Sequence, residues 1–420
     1  MAAQGEPDVL VVGAGPVGLF TALWLAEGGV KVVIIDQAGR TTTSSHACAI
    51  HRRTLKLLDR IGLAREVLAH GRPIDSVGVY DRRKRLGQMR LPPDSEGFPL
   101  AVVLPQSNLE QLLEQRLSHH YGVSVSWRHR LSRIEQHDLD VAATVEELAE
   151  VGTGHIISHW DLVVNQTHVQ PGFVIGADGH GSQVRHQIGT GYQQVGRADA
   201  FEIYDLALDH ELEPEQRVVL DTVVSSFLWP LSGCGCRWSF QMLPDPRSAE
   251  FPEKGRRFGR SQNETADRVS KERAQSLIRA RVPWFDARVQ EATWATTVTF
   301  ERRLATVFGH GRCWLAGDAA HQTAPTGMQS MNVGLCEAAD LAETMTKILR
   351  RNAPLERLER YNDQWREEWQ RLLGIKGSLR PLESSRQWTK ERCGQLLPCL
   401  PASGDNMGSL LNSIGLQWLP

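Results

Sequence analysis

The chain has 420 residues, and its 47 Lys and Arg against 49 Asp and Glu leave a net charge of −2 at pH 7. This balance argues against a protein that mainly holds nucleic acid, because such proteins usually carry a basic excess. A hydrophobic content of 41% excludes a disordered or collagen-like chain. The length exceeds one typical domain of about 100–200 residues, so we expect two or more globular units.

Cysteine usage and the N-terminal sequence bear on metal binding and location. The seven cysteines follow no metal-ligand spacing, which predicts free thiols in a reducing cytoplasm and no metal site. The apolar stretch from Val9 to Ile35 contains Glu27 and Lys31, and it lacks the basic start and cleavage site of a secretion signal. No other stretch approaches about 18 uninterrupted apolar residues, so a cytoplasmic protein without a transmembrane segment is expected.

The first predicted elements are a strand, a glycine-rich turn, a helix and a second strand. The apolar run 8–12 is typical of a buried parallel strand, and it is followed by a helix over 19–27 and a strand over 30–35. A GxGxxG motif indicates dinucleotide binding when it stands in such a unit of about 30 residues.

The glycines of the turn each have a physical role in this prediction. Gly13 would make the tight turn, Gly15 would let a pyrophosphate approach the backbone, and Gly18 would let the helix pack on the sheet. Asp36 ends the second strand, where its carboxylate can accept hydrogen bonds from a ribose. The segment therefore predicts a dinucleotide site.

Shorter strands and turns are predicted in the middle of the chain. The basic turn Arg82–Arg85 lies between two strand-like runs and indicates a solvated hairpin, because no aromatic platform for nucleic acid accompanies it. A helix is expected from Ser107, as the N-cap, with Glu110 completing a capping box. Residues 146–172 are polar and contain glycines, so a loop is expected there, and antiparallel strands are predicted between about 190 and 300.

Three glycine-containing signatures each follow a short apolar strand. They are the turn Gly13–Gly18, the Asp-Gly segment Gly176–Arg185 and the Gly-Asp segment Gly317–Pro325. With these signatures in this order, the chain resembles the single-component FAD-dependent aromatic hydroxylases of the p-hydroxybenzoate hydroxylase fold. The resemblance covers about residues 5–350. The resemblance implies an α/β fold, α+β overall, in which a Rossmann-like FAD-binding domain is interleaved with an antiparallel-sheet substrate domain and followed by a helical C-terminal tail.

The implied domains are discontinuous. The FAD-binding domain would comprise residues 1–70, 105–185 and 305–350, the substrate domain 71–104 and 186–304, and the C-terminal helical segment 351–420. In that last segment, Trp365 and Trp369 stand four apart and suit one packed face of a helix. Because 420 residues are too few to include it, we do not expect the thioredoxin-like C-terminal domain that some longer relatives carry.

The cofactor contacts are likewise implied by the resemblance. The carboxylate of Asp318 would lie on the ribityl chain, and the helix beginning near Met331 and Asn332 would direct backbone N–H groups at flavin N1 and O2, where negative charge develops on reduction. Asp178 and Arg185 would help to hold the flavin and to line the path of the nicotinamide. The implied FAD contacts are Gly13, Gly15, Pro16, Val17, Gly18, Asp36, Gln37, Arg53, Gln106, Asp178, Asp318, Pro325, Gly327, Ser330, Met331 and Asn332.

Two departures from the family pattern stand near the cofactor. The family usually has Arg where this chain has His46, which would weaken a phosphate contact unless Arg52 or Arg53 substitutes. The family commonly has Gly at 328 and 330, where this chain has Met328 and Ser330. Larger side chains restrict φ and narrow the space beside the flavin, so we hypothesise that this loop reshapes the pocket or limits swinging of the isoalloxazine.

The activity implied by the resemblance is hydroxylation of an aromatic substrate with O2, through a flavin C4a-hydroperoxide, with FAD as cofactor and NAD(P)H as transient reductant. No catalytic side chain is assigned; Pro325, Gly327 and Met328 would lie nearest the chemistry. His321 is expected to pack or cap its turn rather than to transfer protons. No Arg of the sheet region is singled out as a carboxylate clamp, which favours a larger aromatic of secondary metabolism over a small benzoate-like acid, and a homodimer is left open.

The substrate is expected under the antiparallel sheet. Candidate lining residues are Tyr204, Trp229, Trp238 and Trp294, for which core packing is the alternative. Two other functions remain open: a flavin-dependent reductase of an isoprenoid-like double bond, and a flavin-binding protein without turnover, suggested by His46, Met328 and Ser330. A flavin halogenase is disfavoured because its Trp-x-Trp-x-Ile-Pro signature is absent.

Overall fold

The structure is a computed structural model that describes residues 6–41, 47–151, 160–243, 270–324 and 326–419. Its α-helices are α1 (Pro16–Glu27), α2 (Arg52–Arg60), α3 (Ala64–His70), α4 (Gln106–Tyr121), α5 (Gln183–Gln187), α6 (Lys271–Arg281), α7 (Gln329–Arg351), α8 (Arg357–Leu372), α9 (Gln387–Leu396) and α10 (Gly404–Ser413). Short 3₁₀ turns cover Gly317–Ala319 and Leu397–Cys399.

The strands of the first half are β1 (Val9–Val12), β2 (Val32–Asp36), β3 (Ala49–His51), β4 (Arg72–Ile74), β5 (Ser76–Tyr80), β6 (Arg85–Arg90), β7 (Ala101–Val103), β8 (Ser126–Trp127), β9 (His129–Gln136), β10 (Val141–Val151), β11 (Trp160–Val169) and β12 (Phe173–Gly176). Those of the second half are β13 (Tyr192–Gln194), β14 (Asp199–Leu208), β15 (Glu215–Leu220), β16 (Ser225–Pro230), β17 (Gly235–Met242), β18 (Val289–Phe300), β19 (Arg303–Ala305), β20 (Gly309–His310), β21 (Cys313–Leu315), β22 (His321–Gln322), β23 (Ser378–Pro381) and β24 (Leu416–Leu419).

A six-stranded sheet, parallel except at β20, has the order β20-β21-β12-β1-β2-β8. Its central strand β1 is fully buried, as its apolar sequence predicts for a parallel strand covered on both faces. Helix α1 lies on this sheet and packs against α4 and α7, so it is buried on nearly every side. The mixed α/β architecture confirms the predicted fold class.

A three-stranded antiparallel sheet, β9-β10-β11, replaces the loop that the sequence predicts over residues 146–172. That prediction is wrong for most of the segment, because β10 extends to Val151 and β11 begins at Trp160. Much of β11 faces solvent, with Leu162 and Val164 both more than half exposed. An exposed antiparallel strand tolerates polar residues at most positions. It therefore lacks the alternation of apolar and polar residues by which strands are recognised in a sequence.

A seven-stranded sheet has the order β18-β14-β17-β16-β15-β5-β6 and is antiparallel except where β15 pairs with β5. One face packs on α6, in a cluster that includes Tyr204, Trp238 and Leu277. The opposite face includes Phe201 and Ile203 and is covered by residues of the C-terminal segment, among them Leu400, Met407 and Leu410. The sheet therefore has one outer face and one face turned toward the rest of the molecule.

The C-terminal segment contains both helices and strands. Trp365 and Trp369 of α8 are buried, which confirms the expected packed face. After α8 the chain forms α9, α10 and the antiparallel pair β23-β24. No helix within the described ranges is long and apolar enough to cross a membrane.

Helix α4 begins two residues earlier than expected and without the predicted capping box. Its N-cap is Pro105, and no side chain caps it. Glu110 instead accepts a hydrogen bond from Nε2 of Gln106 at 2.8 Å. The proline explains the difference, because its fixed φ starts the helix at Gln106 and leaves Ser107 inside the first turn.

Candidate functional site

The glycine-rich turn joins β1 to α1 in the conformation that the sequence predicts. Gly13 has a φ of +103°, and a Cβ there would lie 2.3 Å from the Ala177 carbonyl oxygen. A Cβ on Gly18 would lie 1.9 Å from the Gly13 carbonyl oxygen, whereas a Cβ on Gly15 would meet nothing within 4 Å. Gly13 and Gly18 are therefore needed for packing, and Gly15 lies beside open space that a ligand can enter.

Asp36 holds this turn, and its carboxylate can still accept hydrogen bonds from a ligand. Its Oδ2 accepts from the Ala14 N–H at 2.6 Å and its Oδ1 from the Ala38 N–H at 2.7 Å. Each carboxylate oxygen can accept a second hydrogen bond, so two ribose hydroxyls can still be bound. Gln37 follows at the surface and is exposed.

Helix α1 begins at Pro16 with Gly15 as N-cap, and no side chain caps its first turn. Helix α7 begins after Met328, also without a side-chain cap, and neither helix has an acidic residue in its first turn. Val17 connects the two helices, since a Cβ on Gly317 or Gly334 would come within 3.0 or 3.1 Å of its side chain. Two helix N-termini with orphan N–H groups thus converge on one region, which favours anions.

The turn after β21 is supported by a buried carboxylate. Oε1 of Glu337 accepts from the Gly317 N–H and lies 2.7 Å from Nε2 of His321, while Oε2 accepts from Nε1 of Trp369 at 3.0 Å. The His321 ring stacks on Trp369 with the centroids 3.6 Å apart. His321 and Glu337 are both fully buried, so His321 packs behind the turn, as the sequence predicts.

In contrast, Asp318 is exposed at the front of the same turn. Its Oδ1 accepts from Oγ of Ser330 at 2.7 Å, and its backbone carbonyl accepts from the Tyr192 hydroxyl at 3.1 Å. Arg185 supports the turn from the side by donating to the Ala319 carbonyl at 2.8 Å, with its guanidinium 3.9 Å from the Tyr192 ring centroid. The carboxylate of Asp318 is therefore held in place and open to a polyhydroxyl ligand.

Asp178 precedes the short helix α5 and holds its first turn. Its carboxylate accepts from the Ser182 hydroxyl and from the Gln183 N–H at 2.7 Å. Burial raises the pKa of Asp178 above its usual value, and these hydrogen bonds oppose that rise. Asp178 therefore positions α5 and Arg185, so that both residues support the Asp318 turn.

The loop before α7 is held against the C-terminal segment. Oγ1 of Thr326 donates to the Pro398 carbonyl at 2.5 Å, and Nε2 of Gln329 donates to the Leu397 carbonyl at 2.9 Å. A Cβ on Gly327 would lie 2.5 Å from the Leu400 carbonyl oxygen, so only glycine fits there. Pro325, which the sequence places in this loop, lies outside the described residues.

Met328 adopts the left-handed conformation, with φ of +55° and ψ of +30°. Its side chain is buried beside Trp229 and Cys48. Met331 is also buried, and the side-chain amide of Asn332 donates to the carbonyls of Ala49 and Met328 at 2.9 and 2.8 Å. The side-chain polar atoms of Asn332 are thus engaged within the protein, and its N–H, in the fourth residue of α7, belongs to the hydrogen bonds of the helix. A backbone contact with the cofactor would therefore come from the residues just before Asn332.

On the other side of the loop, Gln106 pairs with Ala47 through two hydrogen bonds of 3.0 and 3.3 Å. Arg53 is half-buried over the Trp365 ring, 5.3 Å from its centroid. The guanidinium of Arg52, one of the two substitutes considered for a phosphate contact, donates to the carbonyls of Pro92 and Pro99 at 2.6 and 3.1 Å instead. His46 lies outside the described residues.

The four predicted substrate residues divide between the two faces of the seven-stranded sheet. Tyr204 and Trp238 lie in the cluster with α6 and so do not share a space with Met328. Trp229 and Trp294 lie on the opposite face, at the two ends of a cross-strand row that also contains Arg237 and Asp205. We name these four residues, Trp229, Arg237, Asp205 and Trp294, the aromatic row.

Arg237 and Asp205 were not predicted from the sequence. Nε and Nη2 of Arg237 donate to the two Asp205 carboxylate oxygens at 2.6 and 2.7 Å. The Arg237 guanidinium also lies 5.1 Å from the Trp294 ring centroid and hydrogen-bonds the Cys48 thiol. The buried cation of the row is therefore neutralised by its neighbour.

A family model described as "FAD binding domain" matches residues 6–373, which is most of the chain. The chain belongs to this FAD-binding family. The match confirms the family that the three signatures indicate.

Among similar proteins, 6-methylpretetramide 4-monooxygenase of Streptomyces rimosus is 31% identical over 363 residues, which are 84% of this chain and 58% of the relative. Pentachlorophenol 4-monooxygenase of Sphingobium chlorophenolicum is 26% identical over 381 residues, 88% of this chain and 64% of the relative. The chain thus spans about six-tenths of the length of these relatives. A crystal structure of p-nitrophenol 4-monooxygenase from Pseudomonas putida DLL-E4 shares the fold, with a TM-score of 0.70, 22% identity, and coverage of 87% of this chain and 85% of that one.

The residues present fit FAD. Asp36 ends β2 and Asp318 follows β21, so both carboxylates lie at the C-terminal edge of the parallel sheet, where open α/β sheets bind ligands. The open space at Gly15 and the N-terminus of α1 suit a pyrophosphate, Asp36 suits a ribose, and Asp318 suits the ribityl hydroxyls. The N-terminus of α7, after Met328, suits the isoalloxazine ring of FAD, on which negative charge develops when it is reduced.

Proposed function

We propose that the chain is an FAD-dependent monooxygenase that uses NAD(P)H and O2 to hydroxylate an aromatic compound. The observation that carries the proposal is that Met328, at the N-terminus of α7, and Trp229, at one end of the aromatic row, are buried in the same hydrophobic cluster. This shared cluster connects the expected flavin position to a surface suited to flat rings. The relatives named above are monooxygenases, one of 6-methylpretetramide and one of pentachlorophenol.

The residues of the chain would bind FAD, orient the aromatic substrate and keep water away from the space between them. The helix N-termini would hold the pyrophosphate and favour negative charge on the reduced ring system. When bound, FAD supplies the chemistry that activates oxygen after reduction by NAD(P)H. The C-terminal segment covers the inner face of the seven-stranded sheet and the loop before α7, so it would exclude water from the space between them.

The aromatic row would orient the substrate. Trp294 is half-buried and can stack on a ring, while the ion pair between Arg237 and Asp205 offers polar edges without net charge. A neutral surface of this kind favours an uncharged aromatic over a carboxylate, in agreement with the larger aromatic of secondary metabolism that the sequence indicates. Tyr204 and Trp238 have no part in this proposed surface.

The test is a screen of aromatic compounds for stimulated NAD(P)H oxidation by the purified, FAD-loaded chain, with oxygen uptake and product mass measured together. The proposal expects oxygen uptake and a product heavier by one oxygen atom. A product that gains two hydrogens without oxygen uptake would establish the reductase alternative. Bound FAD that NAD(P)H does not reduce, with or without aromatic compounds, would establish the flavin-binding protein without turnover.

Location and assembly are part of the same proposal. We place the protein in the cytoplasm, because its seven cysteines are free thiols, as a reducing compartment favours, and keep a homodimer as the expected alternative to a monomer. Light scattering on the FAD-loaded protein measures the mass directly.

A further inference from the structure

His51 lies at the end of β3 and at the start of α2, with its side chain buried beneath the loop that precedes α7. Its Nε2 is 2.8 Å from the carbonyl oxygen of Gly327. Since a carbonyl can only accept, Nε2 must carry the proton. Nδ1 is buried and has no hydrogen-bond partner within the described part of the chain, so the ring is neutral and its tautomer is defined by Gly327.

Asn332 joins His51 to the same loop. Its Oδ1 accepts from the His51 N–H at 2.7 Å, and its Nδ2 donates to the Met328 carbonyl at 2.8 Å. His51 and Asn332 thus hold the carbonyl oxygens of two consecutive residues, Gly327 and Met328. In a trans peptide the N–H points away from the C=O, so the N–H groups of Met328 and Gln329 point away from these two partners.

The backbone conformation at this point is that of an anion-binding nest. Met328 is left-handed, and Gln329, which follows it, is the first residue of the right-handed helix α7. Successive residues of opposite hand bring their N–H groups together around a concavity that binds negative charge. This conformation therefore gathers the orphan N–H groups at the start of α7 around the position suited to the flavin ring.

We propose that His51 is a positioning residue for this nest. Through its Nε2–H it fixes the Gly327–Met328 peptide, so that the N–H groups at the start of α7 face the flavin pyrimidine ring and stabilise its anionic form. The proposal rests on FAD binding by the proposed enzyme, but not on any substrate or on oxygen transfer.

The hydrogen bond from His51 is needed because the nest is strained. An L-residue with a side chain disfavours the left-handed conformation, and the net contribution of one buried hydrogen bond is of similar size. Without the donor at Nε2, the Gly327 carbonyl would be buried without that partner and the peptide could rotate to relieve the strain at Met328. The contacts of Thr326 and Gln329 with the C-terminal segment involve side chains, so they hold the loop without setting the direction of this peptide.

The test compares three variants of the FAD-loaded protein. His51→Gln places an amide N–H near the position of Nε2, His51→Asn places one near the position of Nδ1, and His51→Leu removes both donors. Sulfite is the probe, because its electron pair forms a bond to oxidised flavin N5 and leaves the negative charge on the pyrimidine ring. Bleaching of the flavin absorbance gives the sulfite dissociation constant without NAD(P)H, O2 or substrate.

We expect sulfite to bind about tenfold more weakly to His51→Leu and His51→Asn than to the wild type, with the flavin midpoint potential lowered in parallel. His51→Gln should stay within about threefold of the wild type. His70→Gln, at an exposed histidine of α3, is the control and should change nothing. Equal sulfite affinity in His51→Leu and the wild type, or rescue by Asn as good as that by Gln, would overturn the proposal.

A second measurement covers a failure of His51→Leu to fold. Amide hydrogen exchange at residues 326–331 in the FAD-free protein should be faster in His51→Asn than in His51→Gln. Equal exchange in the two variants would contradict the proposal. Because neither measurement involves turnover, failure of the proposed monooxygenase activity leaves both results interpretable.

Discussion

Met328 offers a direct test of the loop geometry, because its backbone is left-handed while its side chain is buried. The left-handed conformation costs an L-residue about 1–2 kcal/mol, whereas glycine adopts it freely. Met328 exposes only 3% of its surface and lies in a hydrophobic cluster with Trp229 and Cys48. Truncation of such a buried Met to Ala costs about 2–5 kcal/mol. Met328→Ala would therefore lose the packing and keep the strain, while Met328→Gly would lose the packing and relieve the strain.

We expect Met328→Gly to be more stable than Met328→Ala by about 0.5–1 kcal/mol, once the entropic cost of glycine in the unfolded chain is subtracted. Urea denaturation of the FAD-free variants measures this difference. Met331 is the matched control: it is buried in the first turn of α7, where Gly should be less stable than Ala by about 1 kcal/mol. A Met328→Ala protein as stable as Met328→Gly, or more stable, would refute the left-handed conformation.

The same substitution tests whether Met328 narrows the space beside the flavin. In the FAD-loaded protein, Met328→Gly removes a side chain from the cluster that contains Trp229, at one end of the aromatic row. We expect a wider range of accepted aromatic compounds and a changed rate of flavin reduction by NAD(P)H. An unchanged substrate range together with an unchanged reduction rate would contradict this hypothesis.

Acid should destabilise the wild type through His51, because burial lowers the pKa of this residue from 6.5 to about 3. Between these two pH values the unfolded chain binds a proton that the folded protein does not. The free energy of unfolding should therefore fall by up to about 1.4 kcal/mol for each pH unit below 6.5. Urea denaturation at several pH values should show a shallower fall for His51→Gln than for the wild type. Glu337→Leu should cost about 3–5 kcal/mol and weaken FAD binding, because it leaves three buried donors without their acceptor, and unchanged FAD affinity by fluorescence titration would contradict this role. Trp294→Leu should weaken binding of aromatic ligands to the FAD-loaded protein by about fivefold, whereas Tyr204→Phe, on the opposite face of the sheet, should not; equal effects in a ligand titration would contradict the aromatic row.

Local sequence was sufficient to predict the dinucleotide-binding unit. Gly13, Gly18 and Asp36 act within one short segment, where strand, turn and helix are each indicated by neighbouring residues. The Gly317–Asp318 turn was predicted in the same way. What local sequence does not show is the support behind these turns, such as Glu337, which contacts residues from three elements.

The substrate side could not be predicted to the same extent, because it depends on pairing over long distances. Neighbouring residues of β14 point to opposite faces, so Tyr204 packs under α6 while Asp205 joins the aromatic row. The sequence shows the alternation and does not show which face is turned toward the loop. His51 is separated from Gly327 by 276 positions, and no motif connects the two residues.

The central claim is that the FAD-binding chain transfers oxygen to an aromatic substrate. Its most direct test is turnover of an aromatic compound found in the screen, with NAD(P)H, under isotopically labelled dioxygen, followed by mass spectrometry of the product. The account predicts a product that carries one labelled oxygen atom, with no label gained when labelled water replaces the gas. A product without the label, or one that has gained only hydrogen, would contradict it.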